Sequence, residues 1–223
     1  MATAHQSRAL FLDGPAGRIE AILWKPPAGA PPPLAALACH PHPLYAGTMH
    51  NKVVYQTAKS LDALGLPVLR FNFRGAGMSE GTHDRGQGEQ EDVRAALDFL
   101  AREFPGVPLV LAGFSFGCWV GLRVGCVGER VSELIGLGTP VNGMDFSYLR
   151  SCPKPKLFVH GSLDKHGNLR DLEALVASLP GENRLAVVEG GDHFLTGKLD
   201  QLDRALTTWL TERHPRLLQP PSR

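Results

Sequence analysis

The sequence contains no apolar run long enough to cross a membrane. Its longest apolar stretches, residues 34–39 and 109–112, fall far short of the roughly 20 residues that a transmembrane helix needs. Residues 1–8 also lack the apolar segment of a secretory signal. We therefore expect a cytoplasmic protein with no membrane partner.

An excess of charge of either sign is also missing. Lys and Arg number 23 and Asp and Glu number 22, which gives a formal net charge of +1 at pH 7. Binding to nucleic acid or to an anionic surface relies on a basic excess. The composition therefore argues against a nucleic-acid partner, and it leaves the oligomeric state open.

Cysteine is scarce, with four residues in the chain and no CxxC pair. Most of the four, Cys39, Cys118, Cys126 and Cys152, have apolar neighbours. This pattern suits reduced, buried thiols better than a disulfide framework. We expect the cysteines to fill the core.

Glycine and proline are plentiful, with 25 and 18 residues, well above the average of roughly 12% for the two together. Such a chain is rich in turns and is not a helical bundle. Residues 26–33 include five prolines and are predicted to be a stiff surface loop. The length of 223 residues predicts one domain over residues 1–223, with frayed ends at about 1–7 and 215–223.

Short apolar segments alternate with amphipathic ones along the chain. Parallel strands need crossover connections of helical length, so this alternation predicts an α/β fold: a mostly parallel central sheet with helices on both faces. In such sheets the reactive side chains collect at the carboxyl ends of the strands. Strands are predicted at 9–13 and 18–24 (a hairpin), 34–39, 67–73, 109–114, 134–138, 157–160 and 184–188, and helices at 51–64, 89–102, 116–127, 169–179 and 198–211.

The segment from Gly113 to Gly117 reads Gly-Phe-Ser-Phe-Gly, and it follows a predicted strand and opens a predicted helix. A G-x-S-x-G sequence in that context is typical of a nucleophile elbow, a sharp turn that projects the serine hydroxyl. A serine there also lies at a helix N-terminus, which favours a developing oxyanion. Ser115 is therefore the candidate nucleophile, and a chance glycine-rich turn is the alternative.

A serine nucleophile needs a base, and the base needs an acid that holds its tautomer. His193 follows the last predicted strand and takes third place in the chain order Ser, Asp, His. Asp164 follows another predicted strand and lies between Ser115 and His193 in the sequence. We predict His193 as the base and Asp164 as the acid, with Asp192 and Glu189 as weaker rivals.

Nine histidines compete for the role of base. His160 also ends a strand, but it lies inside the segment that should supply the acid. His5, His83, His166 and His214 occur in polar or terminal contexts and are expected to be solvated.

The oxyanion of an acyl-transfer intermediate needs backbone N–H donors. One is predicted to be the N–H of Phe116, the residue after the nucleophile. The second is predicted in the loop His40-Pro-His-Pro-Leu44, where the prolines have no N–H, so His42 and Leu44 remain and His42 is favoured.

His40 and His42 would also suit a metal, but the zinc pattern H-x-H-x-D-H does not continue here. Histidine rings that brace the loop through hydrogen bonds are the simpler interpretation.

Five motifs follow one another along the chain: His-Pro-His-Pro at 40–43, Phe-Asn-Phe-Arg-Gly-Ala-Gly-Met-Ser at 71–79, Gly-Phe-Ser-Phe-Gly at 113–117, His-Gly-Ser-Leu-Asp at 160–164 and Gly-Asp-His at 191–193. In this order they resemble the α/β-hydrolase superfamily over roughly residues 9–212. Within it, the compact size and the His-Pro-His-Pro loop look like the small bacterial hydrolases related to dienelactone hydrolase. The resemblance implies a central sheet of about eight strands, a Ser-His-Asp triad and no cofactor. Dienelactone hydrolase itself has a cysteine nucleophile, where this chain has Ser115.

The interval from 141 to 155 is too short for the helical lid that many members of this superfamily carry, so no large lid is expected. An open site without an apolar tunnel favours short or medium acyl groups. Leu44, Tyr45, Met144 and Phe146 are predicted to line a small substrate pocket. Plain core packing is an equal alternative for each.

The expected function is cleavage of a small-molecule carboxylic ester through an acyl-enzyme, with thioesters as further candidates. A peptidase or amidase of the same fold is one alternative, and a non-catalytic binding protein on a hydrolase scaffold is another. The glycine-rich segment 75–81 has one residue too many for G-x-G-x-x-G. We therefore expect no nucleotide cofactor, and we expect no metal.

Overall fold

Eight strands form one sheet in the computed structural model of the protein, which describes residues 6–26 and 31–218. In chain order the strands are β1 (Gln6–Gly14), β2 (Gly17–Lys25), β3 (Ala35–Cys39), β4 (Val68–Phe71), β5 (Leu109–Phe114), β6 (Val131–Leu137), β7 (Lys156–Gly161) and β8 (Asn183–Val188). Across the sheet their order is β1-β2-β4-β3-β5-β6-β7-β8. The pairs β1–β2 and β2–β4 are antiparallel and the other pairs are parallel. The carboxyl ends of β3 to β8 therefore meet at one edge.

Within the described residues, five α-helices accompany the sheet: α1 (Lys52–Ala63), α2 (Gln87–Glu103), α3 (Phe116–Val127), α4 (Leu169–Ala177) and α5 (Leu199–Arg213). Polar caps start two of them, since the Asn51 side chain accepts the N–H of Val53 at 2.9 Å and Asn168 accepts that of Arg170 at 2.9 Å. Such caps satisfy backbone donors that the first turn of a helix leaves free.

Alternate side chains of the central strands fill two separate cores. Leu109 and Leu111 of β5 pack with α2, α3 and α4 on one face of the sheet. Val110 and Ala112 pack with α1 and α5 on the other face. Because successive side chains on a strand point to opposite faces, a strand buried on both sides must be apolar throughout. This explains why the central strands appear in the sequence as continuous apolar runs.

The predicted order of strands and helices is confirmed, and β5 and α3 have the predicted bounds. Strand β6 begins at Val131 instead of residue 134. The polar residues Ser132 and Glu133 continue the strand, because Glu133 is buried and its carboxylate accepts the indole N–H of Trp209 in α5 at 2.9 Å. A partner 76 positions away therefore accounts for a strand start that the local pattern does not show.

The predicted fraying of the ends does not hold within the described residues. Gln6 and Ser7 pair with Lys25 and Trp24 in the β1–β2 ladder, and a 3₁₀ helix forms at Pro215–Leu218. The rest of the predicted frayed ends, 1–5 and 219–223, lies outside the described residues. So do residues 27–30 of the predicted proline-rich loop.

The connection from β6 to β7 carries a short 3₁₀ helix, Ser147–Ser151, and no helical lid, as predicted. Phe146 and Leu149 are buried beneath this segment and hold it against the core. The carboxyl edge of the sheet is therefore open on this side. Among the described helices, none combines the length and the apolar character needed to cross a bilayer.

Candidate active site

Ser115 joins β5 to α3 in a strained backbone conformation. Its φ is 55° and its ψ is −117°, a combination that residues other than glycine rarely adopt. Its N–H donates to the carbonyl oxygen of Leu137 in β6 at 2.9 Å. The side chain remains partly exposed at the carboxyl edge of the sheet. This is the backbone that the G-x-S-x-G pattern predicts.

His193 and Asp164 are hydrogen-bonded to each other. Nδ1 of His193 lies 2.7 Å from Oδ2 of Asp164, and Oδ1 of Asp164 accepts the N–H of His166 at 2.8 Å and that of Gly167 at 3.3 Å. Burial raises the pKa of Asp164, but its hydrogen bond with His193 and the attraction of that imidazole outweigh burial, so the pKa lies below the usual value. An ionised carboxylate only accepts hydrogen bonds. Nδ1 of His193 therefore donates, and Nε2 is left to take up a proton.

The imidazole of His193 lies beside the residue that precedes Ser115. Its ring centroid is 4.9 Å from that of Phe114. Gly138, which follows Leu137 at the end of β6, leaves space for the ring, because a Cβ at this glycine would lie 3.2 Å from Nδ1 of His193. The N–H of Ser115 donates to Leu137, and the next residue, Gly138, lies against the His193 ring. The ends of β5 and β6 therefore bring the predicted nucleophile and base to the same part of the sheet edge.

Helix α3 begins in close contact with the loop that follows β3. A Cβ on Gly117 would lie 2.6 Å from the carbonyl oxygen of Cys39, and the His42 ring is 4.8 Å from the ring of Phe116. The N–H of Leu44 donates to Nδ1 of His42 at 3.2 Å, so this alternative donor is already in use. The structure thus places the N–H groups of Phe116 and His42, the two predicted oxyanion donors, on neighbouring segments.

His40 holds the same loop from its buried side. Nε2 accepts the N–H of Phe73 at 2.9 Å, which leaves Nδ1 to donate to the carbonyl oxygen of Pro41 at 2.6 Å. Burial lowers the pKa of His40 to about 3, so the ring is neutral. Because both nitrogens are engaged, His40 braces the loop and offers no free lone pair to a metal.

Comparison with known proteins places this geometry in a family. A family model described as an alpha/beta hydrolase domain matches residues 45–209, which is most of the chain. The chain belongs to the alpha/beta hydrolase family. The segments that carry Ser115, Asp164 and His193 all lie within the matched residues.

Three relatives resemble this hydrolase over nearly its whole length. An uncharacterized protein of Rickettsia prowazekii is 37% identical over 210 residues, which cover 90% of this chain and 87% of that protein. The crystal structure of an α/β serine hydrolase without a lid from Xanthomonas campestris is 36% identical, covers 94% of this chain and 96% of its own, and has a TM-score of 0.87. An α/β serine hydrolase homologue from Coxiella burnetii is also 36% identical, with coverages of 91% and 97% and a TM-score of 0.85.

The four predicted pocket residues of the hydrolase fall into two groups. Leu44 and Tyr45 are 69% and 84% exposed, and the ring of Tyr45 packs 4.8 Å from that of His42. Phe146 is buried, and Met144 packs against the same core. The burial of Phe146 fits the alternative of plain core packing, since its ring lies in the core before the 3₁₀ helix.

Several histidines expected to be solvated have partners in the hydrolase. The His166 ring is exposed, yet its centroid is 4.5 Å from that of His193, and His214 contacts the buried Glu133. The side chain of His83 is 10% exposed, and that of His5 lies outside the described residues. Polar sequence neighbours suggest solvent, but each of these contacts joins segments that are distant in the chain or connected by a turn.

Proposed function

We propose that this protein is a serine hydrolase that cleaves small carboxylic esters through Ser115, His193 and Asp164. The observation that carries the proposal is the hydrogen-bonded Asp164–His193 pair packed against Phe114, the residue before the strained Ser115. This arrangement combines an oriented base with a partly exposed hydroxyl at a helix N-terminus. Those are the elements of the two-step acyl transfer that serine hydrolases perform.

In the first step, Nε2 of His193 takes the proton of the Ser115 hydroxyl while its oxygen bonds the ester carbonyl carbon. The carbonyl oxygen becomes an oxyanion, which the N–H groups of Phe116 and His42 stabilise. The tetrahedral intermediate then breaks its bond to the alcohol oxygen. The alcohol leaves with the proton that His193 carries, and the acyl group stays on Ser115.

In the second step, Nε2 of His193 takes a proton from water while the water oxygen bonds the acyl carbon. The bond to Ser115 breaks, the acid leaves, and His193 returns the proton to the serine hydroxyl. Asp164 stabilises the imidazolium in both steps and keeps Nδ1 as the donor. No group beyond the substrate and water is consumed.

Small esters suit this site because its surroundings are open. No lid covers the carboxyl edge on the β6–β7 side, and Leu44 and Tyr45 project into solvent beside His42. Such a surface offers apolar contact but no enclosing tunnel for a long chain. We propose short to medium acyl groups, with thioesters as further substrates because the same two steps release a thiol.

The replacement S115A tests this function. We expect kcat/KM for 4-nitrophenyl acetate and butyrate to fall at least about 10⁴-fold, because no other group replaces the nucleophile. A fluorophosphonate probe should label the wild type and leave S115A unlabelled. The control S147A removes an exposed serine hydroxyl on the 3₁₀ helix and should behave as the wild type. Equal activity of S115A and wild type, or a wild type that neither reacts with the probe nor turns over any ester, overturns the proposal.

A further inference from the structure

A second carboxylate–imidazole pair borders the proposed active site. Nδ1 of His83 lies 2.7 Å from Oε1 of Glu89, the same separation as between His193 and Asp164. The two groups are in close contact, but the approach in the His83 pair lacks the direction of a hydrogen bond. The side chain of Glu89 is fully buried and that of His83 is 10% exposed.

The carboxylate of Glu89 is fixed in place by backbone donors. Oε1 accepts the N–H of Asp84 at 2.9 Å and Oε2 accepts the N–H of Gly86 at 2.7 Å. These two bonds fix the orientation of the carboxylate, with both oxygens acting as acceptors. A lone pair on Nδ1 at this distance from its oxygen would be repelled, so Nδ1 carries a proton. Nε2 of His83, on the other side of the ring, is then the nitrogen left for a further contact.

The position of His83 connects this pair to the reaction. Its ring centroid is 4.7 Å from that of His42 and 5.5 Å from that of Phe116. These are the residues whose N–H groups we propose as the oxyanion donors. A substrate whose carbonyl oxygen lies between those donors therefore has the imidazole of His83 close to one of its two arms.

The imidazole of His83 has one nitrogen free for such a contact. Within residues 6–26 and 31–218, Nε2 has no hydrogen-bond partner and is not among the buried polar atoms. The neighbouring cation Arg74 is already paired with Asp92 at 2.8 Å. Burial lowers the pKa of His42, which keeps that ring neutral. His83 is thus the imidazole on this side of the site with a nitrogen available to a substrate group.

We propose that His83, held by Glu89, binds a carboxylate of the substrate, so that the preferred esters carry an acidic group a few bonds from the scissile one. Monoesters of short dicarboxylic acids have this chemistry. An N–H donor and a carboxylate form a short, charge-assisted hydrogen bond, and a mostly buried site strengthens it. The inference rests on the proposed ester hydrolase function and adds a substrate class to it.

Matched pairs of esters test this inference by binding alone. Monomethyl succinate and methyl 4-oxopentanoate have nearly the same shape, but only the first is charged, and monomethyl glutarate and methyl 5-oxohexanoate form a longer pair. Calorimetry on S115A measures the dissociation constants without turnover. We expect S115A to bind the anionic member of at least one pair about tenfold more tightly than the neutral member.

The double variant S115A/H83F keeps an aromatic ring beside His42 and Phe116 but has no charge, so the tenfold ratio should disappear. In S115A/H83Q an uncharged amide donor remains, and the ratio should fall partway, which gives a reading even if the phenylalanine variant does not fold. The control S115A/H50F changes an exposed histidine that takes part in none of the described ring contacts, and it should keep the full ratio. An equal ratio in S115A and both His83 variants, or no preference in S115A, overturns the inference.

The same proteins separate this inference from the proposed function. If S115A loses ester turnover and shows no preference for the anionic esters, the proposed hydrolase function stands and the proposed role of His83 is wrong. An S115A protein that still turns over esters, but whose anionic preference depends on His83, removes the role of Ser115 and keeps the binding site.

Discussion

The backbone of Ser115 carries strain that its neighbours hold in place. A residue with a side chain at φ 55° and ψ −117° costs on the order of 1–3 kcal/mol relative to ordinary backbone. The N–H of Ser115 is bonded to Leu137, and Gly113 and Gly117 have no side chains that would keep strand and helix apart. These contacts hold the strained backbone of Ser115 in place, and the strain keeps its hydroxyl partly exposed at the edge of the sheet.

The replacement D164N should disable the site while leaving the fold in place. The amide oxygen of the new side chain can accept the N–H groups of His166 and Gly167, as Oδ1 of Asp164 does. Its NH₂ group then faces Nδ1 of His193 and forces the proton onto Nε2, which can no longer act as a base. We expect kcat for 4-nitrophenyl butyrate to fall by about 10⁴-fold, with an unchanged circular dichroism spectrum.

The rival acid Asp192 provides the control for this prediction. Its carboxylate caps the N–H of Thr196 at 2.8 Å, which is a local role in the turn after β8. The variant D192N should therefore lose less than about tenfold in kcat, in line with a neutral hydrogen bond replacing a charged one. A greater loss of kcat in D192N than in D164N would show that Asp164 is not the acid that orients His193.

At this scale, the sequence shows a residue's chemistry better than its partners. The sequence predicts the roles of Ser115, Asp164 and His193 because each of them follows a strand that can be predicted from its apolar pattern. His83 and Glu89 do not, because their contact needs a turn whose backbone brings position 89 back to positions 84 and 86. One signal was available: a glutamate three residues after Gly86, at the start of an amphipathic segment, is the spacing at which a helix side chain caps the preceding backbone.

At the scale of elements, the close approach of α3 to β3 positions the proposed oxyanion donors. Gly117 makes this approach possible, because its α-carbon faces the carbonyl oxygens of Cys39 and His40. The variant G117A would place a methyl group 2.6 Å from the Cys39 oxygen, so the helix and the loop must separate. We expect a loss of about 1–3 kcal/mol in the free energy of unfolding, measured with urea, and a fall in kcat of more than tenfold.

The matched change G143A separates steric from general effects of removing a glycine. A Cβ at Gly143 meets no atom within 4 Å, and its φ is not in the left-handed region. The variant should therefore match the wild type in activity and unfold with a free energy within about 1 kcal/mol of it. If G117A and G143A lose stability equally, the contact between α3 and the β3 loop is not what Gly117 provides.

The elements were largely predictable because most of them are defined by local patterns. β5 is apolar on both faces, and α3 begins immediately after the serine of a recognisable turn, so both bounds follow from the sequence. The exceptions depend on distant partners. β6 extends through Glu133 because Trp209 and His214, from the other end of the chain, satisfy its carboxylate. A rule that reads only neighbouring residues cannot anticipate such a contact.

At the scale of the whole molecule, the topology assembles the site from four separate connections. The loops after β3, β5, β7 and β8 carry His42, Ser115, Asp164 and His193 respectively. Parallel pairing places the carboxyl ends of these strands side by side, so the site forms only when the sheet is complete. The same packing buries His40 and His160 behind these loops, where both are 0% exposed. The stability of the fold is therefore linked to two imidazoles that take up a proton near neutral pH only in the unfolded chain.

This linkage predicts a loss of stability in mild acid. Burial lowers the pKa of His40 from 6.5 to about 3, and it also lowers that of His160. In the unfolded chain both rings have ordinary pKa values, so between about pH 6.5 and the depressed values the unfolded state binds more protons. Stability is thus full above about pH 6.5 and falls as the pH drops, by up to about 1.4 kcal/mol per pH unit for each ring. Urea unfolding at half-unit intervals from pH 7.5 to 4.5 measures this slope.

The variant H40Q assigns the slope to a particular ring. A glutamine oxygen can accept the N–H of Phe73, as Nε2 of His40 does, but it does not titrate. H40Q should therefore show a flatter dependence of unfolding free energy on pH above 4.5, whatever its stability at pH 7.5. Carboxylates with lowered pKa values, such as Asp164, lose their contribution only at lower pH, so this window reports on histidine. H160Q, which can still donate to the Gly167 carbonyl, should flatten the slope in the same way. Unchanged slopes in both variants would show that these buried rings are not what links folding to protons.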